Sequence, residues 1–303
     1  MIKSPRTSRF AAALAAICLL GLSACGSVSS TSDAFSVNGT RYSQDDFNKL
    51  SEVLITAGQF TAVNGKIKSS DAIVVLRTLI RYEAFLQFTK ENKIAILEED
   101  KATVIKNASA DSKFPTYPKE LQDVLINFNV ADVTLRKMAP PAIGTIEKLY
   151  SQSPASAGVL CLSHILVKTE AEAQTVLADL KSGTKFADEA AKKSIEPGAD
   201  KSGGSLANGD QPCQALADLQ TSFDKDFMIG AVAAKPGVPT GPVKSSFGYH
   251  IILSAPFTDV KDSVATVVAE NPGITLLAGY MATADITVSS AYGVWNGATA
   301  TIS

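Results

Sequence analysis

Ser163-His164-Ile165-Leu166-Val167 and Phe247-Gly248-Tyr249-His250-Ile251-Ile252 hold both histidines of this 303-residue chain. Each is a short apolar run rich in β-branched or aromatic residues and bounded by turn signals, so each reads as a strand. Side chains alternate across a strand, which puts His250 on the face of Ile252 and opposite Tyr249 and Ile251. The first strand is predicted over residues 160–167. After it Thr169 and Glu172 form a capping box, and Ala173, Val176, Leu177 and Leu180 make a helical face closed by Gly183. Further helices are predicted over Phe186–Lys193 and near residues 223–234, ending before Lys235-Pro236-Gly237. The chain returns through residues 241–243, turns at residues 246–248 and enters the second histidine strand over residues 249–253. Strand, helices and strand hairpin in that order describe a compact α+β unit of about 100 residues.

Upstream, Phe35-Ser36-Val37-Asn38-Gly39-Thr40 reads as a strand and turn. Ser43 can cap a helix with Asp46, and Phe47, Leu50, Leu54 and Ala57 share its face. Residues 71–89 predict a helix so dense in apolar residues that it is buried on more than one side. Shorter helices are predicted over residues 97–108, 119–128 and 130–138, before Pro140-Pro141 breaks the pattern. A Ser/Pro-rich stretch at residues 151–155 marks a domain boundary. Beyond the α+β unit, residues 259–270 read as a helix and Ile286-Thr287-Val288 as a strand. There is no internal repeat.

At the N-terminus, Lys3, Arg6 and Arg9 precede a 13-residue apolar run over residues 10–22. As a helix that run reaches roughly 20 Å, short of the ~30 Å hydrocarbon core, so a signal peptide over residues 1–24 is the better reading than a permanent span. Leu22-Ser23-Ala24-Cys25 resembles the bacterial lipobox, which implies a lipidated Cys25 as the mature N-terminus and membrane anchoring outside the cytoplasm. Residues 25–35 then read as a flexible tether. Losing the three basic residues takes the formal charge of −2 to about −5, which argues against nucleic acid as a partner. Of four cysteines, Cys18 leaves with the signal, so Cys161 and Cys213 remain as an even pair. They are disulfide candidates in an oxidising compartment, two separate buried thiols being the other reading.

A lone strand histidine is usually structural. The pair gains meaning because residues 155–257 resemble the parvulin (rotamase, PpiC-type) domain. The resemblance rests on Ser163-His164-Ile165-Leu166-Val167, Ser194-Ile195-Glu196-Pro197-Gly198, Ser202-Gly203-Gly204-Ser205-Leu206, Phe227 with Ala234-Lys235-Pro236-Gly237, Thr240-Gly241-Pro242-Val243, and the Tyr249-His250-Ile251-Ile252 strand. It implies a four-stranded antiparallel sheet with His164 and His250 side by side on central strands, Glu196 as the acidic neighbour, and a proline pocket of Leu206, Phe223 and Phe227. Phe223 stands where many parvulins carry Met. The implied activity is peptidyl-prolyl cis-trans isomerisation, needing no cofactor and no metal. Where many parvulins continue Gly-Gly-Asp-Leu-Gly-Trp, this chain has Gly203-Gly204-Ser205-Leu206-Ala207-Asn208, with extra residues around 211–219 at the rim of the expected pocket. Lys168 alone is basic in the loop after the first strand, so phosphorylated substrates are not expected.

The flanks resemble the PrsA/SurA type of secreted foldase. Val37-Asn38-Gly39, Ser43 and Phe47 look like the opening of its helical chaperone region, here residues 36–152. Ala291-Tyr292-Gly293-Val294-Trp295 looks like its closing strand, within a C-terminal segment, residues 258–303, that packs with the N-terminal region. The implied partners are unfolded secreted polypeptides containing X-Pro bonds. A membrane-anchored holdase with a weak or inactive parvulin domain is the competing reading. A Ser-His-Asp hydrolase fails because neither histidine lies by a nucleophile elbow. A metal site of Cys161 and His164 fails because an offset of three along a strand points the side chains to opposite faces.

Overall fold

Asp33–Val37 (β1) is the first element of the computed structural model, which describes residues 32–303. The expected signal peptide and Cys25 lie outside the described residues. The tether expected up to residue 35 ends earlier, because Ala34 and Phe35 are buried and Phe35 pairs with Val288. Thr40–Ser43 (β2) pairs with the other edge of β1. Ser43 then caps Gln44–Thr56 (α1), accepting from the Asp46 N–H, and the helix buries Phe47 and Leu50. A small hairpin, Ala62–Val63 (β3) with Lys66–Ile67 (β4), leads into Ser69–Glu91 (α2). This helix buries Leu76, Ile80 and Phe85 on more than one side, as its apolar density predicts.

Glu98–Ala108 (α3) is followed by one continuous helix, Lys119–Arg136 (α4), where two were expected. The supposed break carries Val130 and Ala131, both buried, and the Asn129 amide donates back to the Leu125 carbonyl, so tertiary burial carries the helix through a weak local signal. Ile143–Gln152 (α5), which the sequence pattern did not announce, follows the Pro140-Pro141 break. The Ser/Pro-rich stretch beyond it is no exposed linker: Pro154–Ala157 form a buried 3-10 turn. Residues 32–303 accordingly cluster as one compact unit.

The first histidine strand divides at Cys161 into Val159–Leu160 (β5) and Leu162–Val167 (β6). Glu170–Lys181 (α6) carries the complete Thr169/Glu172 capping box, and Phe186–Lys193 (α7) matches its expected bounds. After the short Ala199–Ser202 (α8) come Gln214–Ala215 (β7), Leu216–Ser222 (α9) and Lys225–Ala233 (α10). Thr240–Lys244 (β8) and Tyr249–Ser254 (β9) complete a three-stranded antiparallel sheet in the order β6-β9-β8. The expected four-stranded sheet is therefore corrected to three strands. The fourth segment contributes only an isolated bridge, Ser163 to Ser205, held by His164 N–H to Gly204 O and Leu206 N–H to Leu162 O. Left-handed backbone at Gly203 and Gly204 turns the chain sharply into that bridge, so no ladder extends on that side.

Phe257–Glu270 (α11) and Pro272–Thr283 (α12) lead to Ile286–Val288 (β10), which pairs antiparallel with β1 and joins the two ends of the described chain. Residues 291–294 are not the expected closing strand. The chain turns through residues 290–292, and pairing begins where Val294 exchanges backbone hydrogen bonds with Ser303 and continues in Trp295–Asn296 (β11) with Thr301–Ile302 (β12). One large core joins Phe35, Phe85, Tyr150, Cys161, Cys213 and Val264.

Candidate functional site

Alternation along β6 and β9 sorts the sheet into two packed faces. Ile165, Val167 and Ile251 face α6 and α7, joining Val176 and Ala190 in one cluster. Leu162 and Ile252 face the other way, clustering with Phe227 and Met228 of α10 and Leu216 of α9. His164 and His250 share this second face. In the register His164 stands opposite Ile252 and Leu166 opposite His250, so the histidines are diagonal neighbours.

Both histidines are buried, and their Nδ1 atoms lie 3.2 Å apart in nearly parallel rings. His250 Nε2 lies 2.7 Å from Ser245 Oγ. Ser245 Oγ accepts the Phe247 N–H at 3.1 Å, so its own proton is available to His250 Nε2. His250 then carries its proton on Nδ1 and donates to His164 Nδ1, which leaves a proton on His164 Nε2. That atom is buried, has no hydrogen-bond partner among the described residues, and lies 4.0 Å from Glu196 Oε2. A carboxylate at that distance favours this tautomer over a bare lone pair.

Phe227 sits over the pair, its ring meeting His164 at 5.6 Å and His250 at 5.1 Å, edge-on in both cases. Phe223 stacks on Phe227 at 5.2 Å, and Leu206 packs against the same cluster. The residues singled out from sequence are thus neighbours: two imidazoles, a carboxylate and three apolar side chains around one unpartnered N–H. Glu196 is the most open of the polar three, its side chain 43% exposed.

Three supporting residues were given no role by the sequence reading, although Ser194 stands in one of its motifs. Asp224 caps α10 by accepting from Asp226 and Phe227 N–H, and it also accepts from the Ser246 hydroxyl, tying the β8–β9 turn to the helix that carries Phe227. Its position three residues before Phe227, ahead of an apolar run, is the N-cap signal that could have found it. Ser245 gave only a serine-rich turn as its signal. Ser194 Oγ accepts from Leu166 and Glu196 N–H, fixing the turn that presents Glu196 to the strand. Two glycines let backbones close on the site. A Cβ at Gly204, with φ at +80°, would lie 2.4 Å from His164 O, and one at Gly248, with φ at +144°, would lie 2.4 Å from Val167 O.

Burial pulls His164 below its ordinary pKa, against a smaller upward pull from Glu196. Burial, followed by the neighbouring His164, brings His250 down to about 4. Both are neutral near pH 7, as a donor-acceptor chain through two imidazoles requires. Any activity that uses this chain is expected to fall as His250 protonates near pH 4, read from a kcat/KM profile. Stability should move with it. An unfolded histidine takes its proton near pH 6.5, so between roughly 6.5 and 4 the unfolded chain holds more protons and stability drops as pH falls. Urea midpoints across that window that do not fall would contradict the assignment.

Among known families, residues 164–255 match the model described as Rotamase: PPIC-type PPIASE domain. Over these residues the chain is similar to PPIC-type domains. Foldase protein PrsA of Clostridium kluyveri is 35% identical over 137 residues, covering 45% of this chain and 36% of that relative. The chain thus spans little more than a third of the length of the first relatives it matches. Putative peptidyl-prolyl cis-trans isomerase Cbf2 of Campylobacter jejuni is 28% identical over 217 residues, 66% of this chain and 76% of that one. The crystal structure of PrsA from Bacillus subtilis aligns with 84% of this chain and 93% of its own at 21% identity, with a TM-score of 0.30.

Proposed function

We propose that this chain is a peptidyl-prolyl cis-trans isomerase and foldase acting on unfolded secreted polypeptides outside the cytoplasm. The observation that carries the reading is the neutral imidazole pair that presents an unpartnered His164 Nε2 beneath Phe227. Amide resonance sets a barrier of about 18–20 kcal/mol to rotation about the X-Pro bond. Rotation removes the charge separation that water stabilises in the planar amide. An apolar pocket of Leu206, Phe223 and Phe227 that grips the proline ring and strips that water therefore favours the twisted form. His164 Nε2 donates toward the substrate carbonyl, Glu196 acts on it through space, and His250 with Ser245 holds the tautomer. Lowering the barrier by roughly 5 kcal/mol gives about four decades in rate. The chemistry uses no cofactor, nucleophile or metal.

The test is a proline-isomerisation assay with a range of X-Pro peptides. Acceleration lost at low pH with the His250 profile supports the reading. No measurable rate with any peptide would instead favour a holdase, a reading supported by the rim, where Ser205, Ala207 and Asn208 replace the family pattern and extra residues stand around 211–219.

We place the protein at the membrane through lipid on Cys25, with residues 36–152 and 258–303 holding clients while the PPIC-type domain acts. No helix among the described residues is long and apolar enough to cross a membrane. Cys25→Ser is expected to shift the protein from the membrane fraction to the soluble fraction, or to leave an unprocessed precursor visible by mass. Unchanged processing together with a wild type that is soluble without detergent would remove the anchor.

A further inference from the structure

A groove of about 360 Å³ opens between α2, α9 and α12, with β11 at one end, away from the histidine pair. Its floor is apolar, built from Ile274, Leu277 and Met281 of α12 and the indole of Trp295. Arg77 and Arg81 of α2 line one wall. Neither forms an ion pair among the described residues, and the only hydrogen bond from either runs from Arg77 Nε to the Ala300 carbonyl. No Asp or Glu lines the groove among the described residues. The Trp295 indole N–H is buried and has no acceptor among the described residues. Past Trp295 the surface continues to Ile229, 45% exposed, and Val294, 71% exposed, beside Lys225.

We propose that this groove is a second polypeptide-binding site, separate from the isomerase pocket, that takes apolar segments carrying aspartate or glutamate. The proposal rests on the foldase reading for the class of partner and on charge complementarity for the choice within it. Two guanidinium groups without carboxylate partners, in a chain of net charge −2, face a floor that only apolar side chains would dry. The orphan indole N–H adds a donor for a carbonyl or carboxylate oxygen. A volume of about 360 Å³ admits a few side chains, and falls short of the paired acyl chains of a phospholipid. A client held here by an acidic-apolar segment would leave its X-Pro bonds free to reach the histidine site.

Trp295 is the chain's single tryptophan, so its fluorescence reports the groove directly. The full chain is titrated with two peptides that lack Pro, Trp and Tyr and share the same Leu and Met residues, one spaced by Glu and the other by Lys. The Glu peptide should shift or quench Trp295 emission saturably. The Lys peptide should bind at least about tenfold more weakly, and Arg81→Glu should weaken the Glu peptide by a similar factor. Arg81 is solvent-exposed, so this variant is expected to fold, and Arg81→Lys should retain most of the binding. Because the peptides lack proline, isomerisation measured on the same samples separates the two readings. A normal isomerisation rate with no Trp295 response, equal response to both peptides, or a response only to phosphatidylglycerol vesicles would each overturn the site. Loss of isomerisation with an intact Glu-selective response would overturn the isomerase reading alone.

Discussion

Phe227→Ala is expected to reduce the isomerisation rate by about two decades or more, the equivalent of roughly 3 kcal/mol of barrier. The ring is 2% exposed and contacts both histidines and Phe223, so in the proposed mechanism it is the wall that excludes water from the twisting amide. Truncating a buried Phe also costs about 3–5 kcal/mol of stability. Circular dichroism and a denaturant midpoint must therefore accompany the rate. Phe227→Leu, which keeps apolar volume, should fold better and lose less activity. Suppression of client aggregation should survive in both variants, because that activity is assigned to other parts of the chain. A folded Phe227→Ala protein with the wild-type rate would remove Phe227 from the pocket. His164→Ala is the poorer probe, since the buried histidine is tied to His250 at the heart of the sheet and its loss would disturb folding and chemistry together.

Removing the Cys161–Cys213 bridge should produce the second large effect, on stability. The structure bonds these two buried cysteines across 52 residues of sequence. In the chain-entropy account, closing a loop of that size stabilises the folded state by about 4 kcal/mol, a large fraction of a typical domain's stability. Paired Cys161→Ala and Cys213→Ala substitutions, or reduction under mild denaturant, should shift the unfolding midpoint accordingly. The proposed isomerisation should respond as well. Cys213 precedes Gln214, whose side-chain amide donates to the Leu206 carbonyl, so the bridge tethers the segment that carries Leu206, a wall of the proposed pocket. Intact mass after alkylation without reduction reads the state directly. Two alkylated thiols in protein taken from its own compartment would refute the bridge, and an unchanged midpoint in the double variant would refute its role in stability.

Local chemistry was enough for much of this architecture. The Ser43/Asp46 and Thr169/Glu172 caps each satisfy orphan backbone N–H groups within one helical turn, so they mark the starts of α1 and α6 without help from the rest of the chain. Period-two alternation set the faces of β6 and β9, and with them the common face of Ile252 and His250. α12 was illegible for the opposite reason. Its sequence is apolar nearly all round and has no polar face to betray a helical period, because the helix is buried among others, with Gly273 closing on Leu135 and Gly279 on Ser156. α4 read as two helices because burial of Val130 and Ala131 enters no local pattern. The fourth strand failed because one bridge at Ser205 meets geometric limits set by its glycine neighbours and by the strand it approaches. In the candidate site, the sequence by itself determined which residue types were present and which strand face carried His250. Only the tertiary structure decided that the two imidazoles meet through their Nδ1 atoms, that Ser245 completes the chain, and that His164 Nε2 is left without a partner. Those contacts depend on the register between strands 86 residues apart, and register follows from packing both sheet faces at once, which no window of sequence contains.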